Sequence, residues 1–113
     1  MACCTYSARY LLTPQGILEN GRLTVRDDRI LEVSSGPSPP APQYHWALPG
    51  FVDIHTHAAM GCDVMDGTFD CLDTIARFHL RNGTTTFLAT TLTAPLDRLG
   101  AVLGVIEGYR AAK

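Results

Sequence analysis

His55 and His57 stand one residue apart at the end of Leu48-Pro49-Gly50-Phe51-Val52-Asp53-Ile54-His55-Thr56-His57, and imidazoles at that spacing can hold a cation between them. In a strand the side chains of residues i and i+2 share a face while i+1 points the other way. His55 and His57 therefore look to one side and Thr56 to the other, with the histidine Cα atoms about 6.6 Å apart at ~3.3 Å per residue. Two imidazole arms close that gap onto one ion at about 2.0 Å from each nitrogen. Neutral imidazole suits zinc, iron or nickel better than calcium or magnesium. Asp53 has the same parity one step deeper. It either orients a histidine ring from behind or is a buried carboxylate satisfied by backbone donors. The bland alternative is a pair of surface histidines, and the flanks argue against it. Pro49-Gly50 is a turn signal, and Phe51-Val52-Asp53-Ile54 is too apolar for an exposed edge. The run reads as a strand buried on both faces, as in a parallel sheet, although periodicity leaves a buried helical segment open. Barrel enzymes keep their active sites at the C-terminal ends of such strands.

The elements around this strand change character along the chain. Ser7 to Thr13 reads as a strand broken by Pro14-Gln15-Gly16, and Asn20-Gly21 predicts a type I′ hairpin between Ile17-Leu18-Glu19 and Arg22 to Arg26. Asp27-Asp28 predicts a turn into Arg29 to Val33, so this part reads as short antiparallel strands with polar residues outward. Ser34 to Pro42 holds four prolines and predicts a linker without ladder pairing. Tyr44 to Leu48 is one more candidate strand, with His45 on it structural or exposed. After His57, Ala58 to Asp66 reads as a loop at the mouth of the site. Thr68 predicts an N-cap, Leu72, Ile75, Ala76, His79 and Leu80 keep helical spacing, and Arg81 and Gly83 mark the helix end. His79 is expected to be packed rather than a ligand. Thr84 to Thr91, rich in β-branched residues, predicts a second buried strand. Leu96, Leu99, Val102, Leu103, Ile106 and Tyr109 predict an apolar stripe on a final helix. Strand, helix, strand, helix is the order of a parallel α/β architecture.

Composition narrows the function classes. At 113 residues, 46% hydrophobic and 18% charged, the chain is globular in composition and far short of the ~250 residues of a complete (β/α)8 barrel. A net charge of −2 gives no electrostatic reason to expect nucleic acid or an anionic membrane as partner. No apolar run is long enough to span a bilayer, and Met1 to Tyr6 lacks the pattern of a secretory signal. Cys3, Cys4, Cys62 and Cys71 show no C-x-x-C spacing, which predicts reduced thiols and a cytoplasmic protein. Cys62 reads as a packed thiol, with ligation as the alternative, and Cys3 and Cys4 as part of a frayed terminus.

A β-rich opening, a proline-rich link and PGFVDIHTH at a buried strand resemble the N-terminal part of the amidohydrolase superfamily. Within it, Leu48 to Pro95 is similar to the N-acetylglucosamine-6-phosphate deacetylase family, on GCDVMDGT from Gly61 to Thr68 and NGTTTFLATTLTAP from Asn82 to Pro95. The resemblance covers nearly the whole chain. It implies a mixed β then α/β fold. Residues 1–47 would form a segment of a small β-sandwich, and 48–113 the first two βα units of an incomplete TIM-like barrel.

The resemblance also implies hydrolysis of the acetamide of N-acetylglucosamine 6-phosphate to glucosamine 6-phosphate and acetate. His55 and His57 match the family's first-strand metal ligands, for zinc, with iron or another divalent ion as alternatives and the metal count open. Asp53 is the candidate for orienting them. The family's bridging glutamate, its two further histidines and the aspartate that moves the proton fall on later strands, so no catalytic residue is expected before Lys113. Glu107, on a helix, matches none of them. Two ligands fall short of the three protein ligands usual at a catalytic zinc. The isolated 113 residues are therefore expected to be inactive, and to fold poorly with open sheet edges and uncovered apolar faces. Thr90 and Thr91 could touch substrate or serve the backbone, and the substrate-binding residues stay unassigned. The partners implied are an amino-sugar phosphate and, for the full-length protein, a second copy in a homodimer. Two other readings stay open. One is a dihydroorotase-like, hydantoinase-like or deaminase branch, although Ala58-Ala59-Met60-Gly61 stands where those place a polar residue. The other is a non-catalytic metal-binding module.

Overall fold

Pro14-Gln15 closes the first hairpin in the computed structural model, which describes residues 3–37 and 41–113. It joins β1 (Cys3–Thr13) to β2 (Gly16–Arg26), two antiparallel strands in register from Cys3↔Arg26 to Thr13↔Gly16. The Thr13 hydroxyl donates to Gly16 O at 2.8 Å across the turn. Asn20-Gly21, expected as the hairpin turn, lies inside β2 instead, with Asn20 at φ 53 as a local kink. Turning at Pro14 lets two eleven-residue strands pair along their length, whereas turning at Asn20 would leave only stubs. Gly21 has a different task there: a Cβ would collide with the Leu11 side chain, so only glycine lets β2 lie this close to Leu11. Cys3 and Cys4, expected to fray, are paired with Arg26 and Val25.

Asp27-Asp28 turns as expected, with Asp27 at φ 53, into β3 (Arg29–Ser35). That strand runs two residues past Val33, into the stretch expected to carry no ladder, and pairs Ser34 with Arg22 and Ser35 with Gly21. The middle of the proline-rich link, residues 38–40, lies outside the described residues. β4 (Tyr44–Ala47) joins in parallel beside β1, giving the order β3-β2-β1-β4. Among the described residues this unit is one four-stranded sheet. An apolar groove of about 400 Å³ lies on it, lined by residues that include Leu11, Leu18, Leu23, Ile30 and Leu48. No described helix is long and apolar enough to cross a membrane.

The chain divides into two compact units, Met1–Pro49 and Gly50–Lys113. The second opens with β5 (Phe51–Thr56), followed by β6 (Ala58–Ala59) and β7 (Cys62–Asp63), α1 (Phe69–Arg81), β8 (Thr84–Ala89) and α2 (Leu96–Ala112). β5 and β8 pair in parallel, Phe51 with Thr84 and Thr56 with Ala89, the expected crossover through a helix. The expected burial of β5 on both faces does not hold. Phe51, Val52 and Ile54 are exposed, Ile54 at 73%, and so is Leu88 on β8. Among the described residues this sheet has two strands, so each has a single neighbour.

Residues 58–66, expected as a loop, fold tightly. Met60 at φ 55 and Gly61 at φ 77 make a two-residue turn between β6 and β7, the positive-φ pair of a type I′ hairpin. A 3-10 turn at Val64–Asp66 follows, capped reciprocally by Asp63 and Asp66. It drives Val64, fully buried, into a core with Leu72 and Ile75 of α1 and Val102 of α2. Thr68 caps α1 as predicted, its hydroxyl accepting from Cys71 N at 3.2 Å, while Leu80, expected on the buried stripe, is exposed. On α2 the inward residues are Val102, Val105, Ile106 and Tyr109. Leu96, at 86% exposure, and Leu103 face outward. Apolar side chains occur on every side of this helix, so spacing alone cannot choose its buried face.

Candidate metal centre

The end of β5 is held to the end of β8 by one threonine. Thr90 N donates to Thr56 O at 2.8 Å, and Thr56 N donates to the Thr90 hydroxyl at 3.0 Å. That hydroxyl in turn donates to Leu88 O at 3.1 Å. Thr56 is thereby buried, at 5% exposure, and its neighbours on either side emerge together on the opposite face. Gly50 permits the close start of the strand, since a Cβ there would collide with the Thr85 side chain.

On that face the imidazoles of His55 and His57 converge, with their Nε2 atoms 2.9 Å apart and ring centroids 4.9 Å apart. His57 Nδ1 lies 3.1 Å from Thr90 O. A carbonyl can only accept, so Nδ1 carries the proton and the Nε2 lone pair faces His55. That is the tautomer a metal-ligating histidine needs, set by the contact on its other nitrogen. The spacing fits a shared ion. Nitrogens each about 2.05 Å from one ion lie ~2.9 Å apart at a right angle and about 3.3 Å apart at the tetrahedral angle. His55 is exposed and His57 half-buried, so the pair is open to solvent on one side.

Asp53 takes the second of its two expected roles. Its Oδ1 accepts from the backbone N–H of His55 at 2.9 Å, which lowers the carboxyl below its ordinary value. It braces the strand's backbone, and the half-buried carboxylate meets neither ring in a hydrogen bond. Cys62 packs against the core of the second unit. His79 stacks on Phe87 at 5.2 Å, packed as expected, and His45 lies edge-on to Tyr10. Among the described residues no group of three or more His, Cys, Asp or Glu side chains converges as a metal cage. The expectation left Thr90 with two roles, and its bonds are to the backbone and to His57. The threonine-rich run Thr84 to Thr91 marked a strand, but nothing in it singled out the residue that sets a tautomer.

Residues 46–112 match the Amidohydrolase family. The chain is 34% identical over 110 residues to the N-acetylglucosamine-6-phosphate deacetylase of Bacillus subtilis, covering 91% of this chain and 28% of that protein. It is 37% identical over 97 residues to the N-acetylgalactosamine-6-phosphate deacetylase of Escherichia coli O157:H7, covering 85% and 26%. It thus spans little more than a quarter of either relative. Among solved structures, a variant of the Mycobacterium smegmatis N-acetyl-D-glucosamine-6-phosphate deacetylase in complex with N-acetyl-D-glucosamine-6-phosphate superposes with a TM-score of 0.83 at 28% identity. That match covers 98% of this chain and 30% of that one.

Proposed function

This chain belongs to the amidohydrolase family, and from that premise we propose that His55 and His57 are the first-strand ligands of a divalent metal in an N-acetylhexosamine-6-phosphate deacetylase. The observation that carries the proposal is the 2.9 Å convergence of the two Nε2 atoms, with the His57 ring fixed from behind by Thr90 O. Zinc is the first choice for two imidazoles, with iron or another divalent ion as alternatives. When bound, such an ion supplies Lewis acidity to the acetamide carbonyl and a water of lowered pKa.

The chain's own residues do the positioning. Thr90 O holds the proton on His57 Nδ1 and leaves Nε2 free to ligate. The Thr56 backbone, bonded to Thr90, keeps the two rings on one face. Asp53 fixes the His55 backbone from below. No described carboxylate stands at the pair to move a proton, so these residues are the metal-holding part of the machinery. Residues 48–113 are then read as the opening βα units of a barrel and 1–47 as part of its accompanying β domain. The Bacillus subtilis and Escherichia coli relatives carry deacetylase names, which favours amide hydrolysis on an amino-sugar phosphate over the cyclic-amide and deaminase readings.

The test is acetate release from N-acetylglucosamine 6-phosphate and its galacto epimer by the product of the open reading frame carrying these 113 residues, with zinc or iron supplied. Turnover is expected, with a loss of about 100-fold or more in His55→Ala and in His57→Ala. Full activity in both variants would refute the assignment. The 113 residues alone are expected to release no acetate above a free-metal blank.

A further inference from the structure

Beyond the metal centre, the second unit gathers two thiols that the proposed reaction does not use. Cys62 lies on β7 and Cys71 in the first turn of α1. One carboxylate oxygen brings their neighbourhoods together: Asp66 Oδ2 accepts from Asp63 N at 2.8 Å and from the Cys71 thiol at 3.4 Å. Cys62 immediately precedes Asp63 on that short strand, and it packs on the core that holds Leu72, the residue after Cys71. Both thiols are half-buried and unpaired with any other cysteine.

We infer that Cys62 and Cys71 form a reversible disulfide that fastens the β6–β7 hairpin to α1. The co-reactant is a low-molecular-weight disulfide such as oxidised glutathione. One protein thiolate attacks it, its S–S bond breaks, and the first glutathione leaves as thiolate. The second protein thiolate then attacks the mixed disulfide and expels the other glutathione. Two electrons pass from the protein to glutathione disulfide, and the two thiol protons go with the departing thiolates.

The position gives the bond a consequence. The hairpin begins at Ala58, directly after His57, and Val64 N donates to His57 O at 2.8 Å. Oxidation therefore ties the segment leaving the metal-binding histidine to the helix beneath it. The adjacent Cys62 thiol, partial burial and Asp66 push the Cys71 thiol up from its ordinary value. This slows attack by Cys71 at neutral pH without barring the exchange.

The 113-residue chain is equilibrated with reduced and oxidised glutathione, acid-quenched and mapped as peptides by mass spectrometry. This is done in buffer, with helix formation verified by circular dichroism on the same samples, and again in urea. The expected result is a Cys62–Cys71 cross-link whose equilibrium constant is at least about tenfold larger in the folded chain than in urea. It should be unchanged when Cys3 and Cys4 are both replaced by serine. Equal constants in helical and unfolded samples, or a folded chain in which Cys62 and Cys71 couple instead to Cys3 or Cys4, would overturn the inference.

Discussion

The two units solve the problem of order by different means. In Met1–Pro49, β1, β2 and β3 are consecutive and antiparallel, each finding its partner across a turn of two residues, and only the four-residue β4 joins in parallel. In Gly50–Lys113, β5 and β8 are parallel and meet only after a hairpin, a 3-10 turn and a thirteen-residue helix intervene. The first unit has the longer ladders. The second has the shorter sheet, and the histidine pair sits where that sheet ends. Parallel pairing brings the ends of β5 and β8 to one edge, so that the Thr90 carbonyl after β8 reaches the His57 ring at the end of β5. Antiparallel hairpins spread those ends to opposite edges.

This contrast can be broken from either side. The largest effect is expected in the core of the second unit, where Ile75 is fully buried between Val64, Leu72 and Val102. Ile75→Ala should cost about 2–5 kcal/mol, read as a shift in the urea midpoint, with amide protection lost over 50–113 while β1 to β3 keep theirs. Uniform loss across both units would show that the division does not describe the folding behaviour. In the first unit, Gly21→Val forces a side chain into Leu11 and should cost about 1–3 kcal/mol, with the protection loss confined to β1 and β2.

Smaller, and closer to the site, is Thr90→Val. It removes the hydroxyl that accepts from Thr56 N but keeps the carbonyl that accepts from His57. Stability should fall by about 1 kcal/mol, with the His57 tautomer unchanged by nitrogen-15 NMR. A tautomer switch would mean that the hydroxyl, rather than the carbonyl, positions the ring. The smallest expected effect is at Asp73, which joins the helices by accepting from Tyr109 OH at 3.0 Å and pairing with Arg77 and with Lys113. Arg77, Lys113 and Tyr109 hold its carboxyl well below the usual carboxylate range. A depressed folded-state value gives a contribution complete above the unfolded value of about 3.9 and lost as pH falls towards the folded one. Melting temperature should therefore fall below about pH 4 more steeply in the parent than in Asp73→Asn, with parallel profiles between pH 5 and 8.

How far the sequence could be read follows the same division between local and distant causes. Thr68 as a cap, Asp27-Asp28 as a turn and the shared face of His55 and His57 were legible because each depends on a few adjacent residues. Asn20-Gly21 misled because a good hairpin dipeptide competed with Pro14-Gln15, and the longer ladder won. Met60-Gly61 was hidden because strands of two residues leave no period to detect. Phe51, Val52 and Ile54 suggested burial through their side chains, but burial depends on what lies against a strand, and among the described residues β5 pairs with β8 alone. Thr90 was the hardest to place. Its carbonyl orients His57 through a contact spanning 33 residues, and any residue type offers a carbonyl.

The central claim is that His55 and His57 present two lone pairs to one ion, and histidine-selective nitrogen-15 NMR of the chain during a zinc titration tests it most directly. The account predicts that the Nε2 signals of both residues move together and finish at one equivalent. His57 Nδ1 should stay protonated, His45 and His79 should remain unperturbed, and His55→Ala or His57→Ala should abolish the response of the remaining partner. Independent titration of the two rings, or a response at His45 of equal affinity, would contradict it.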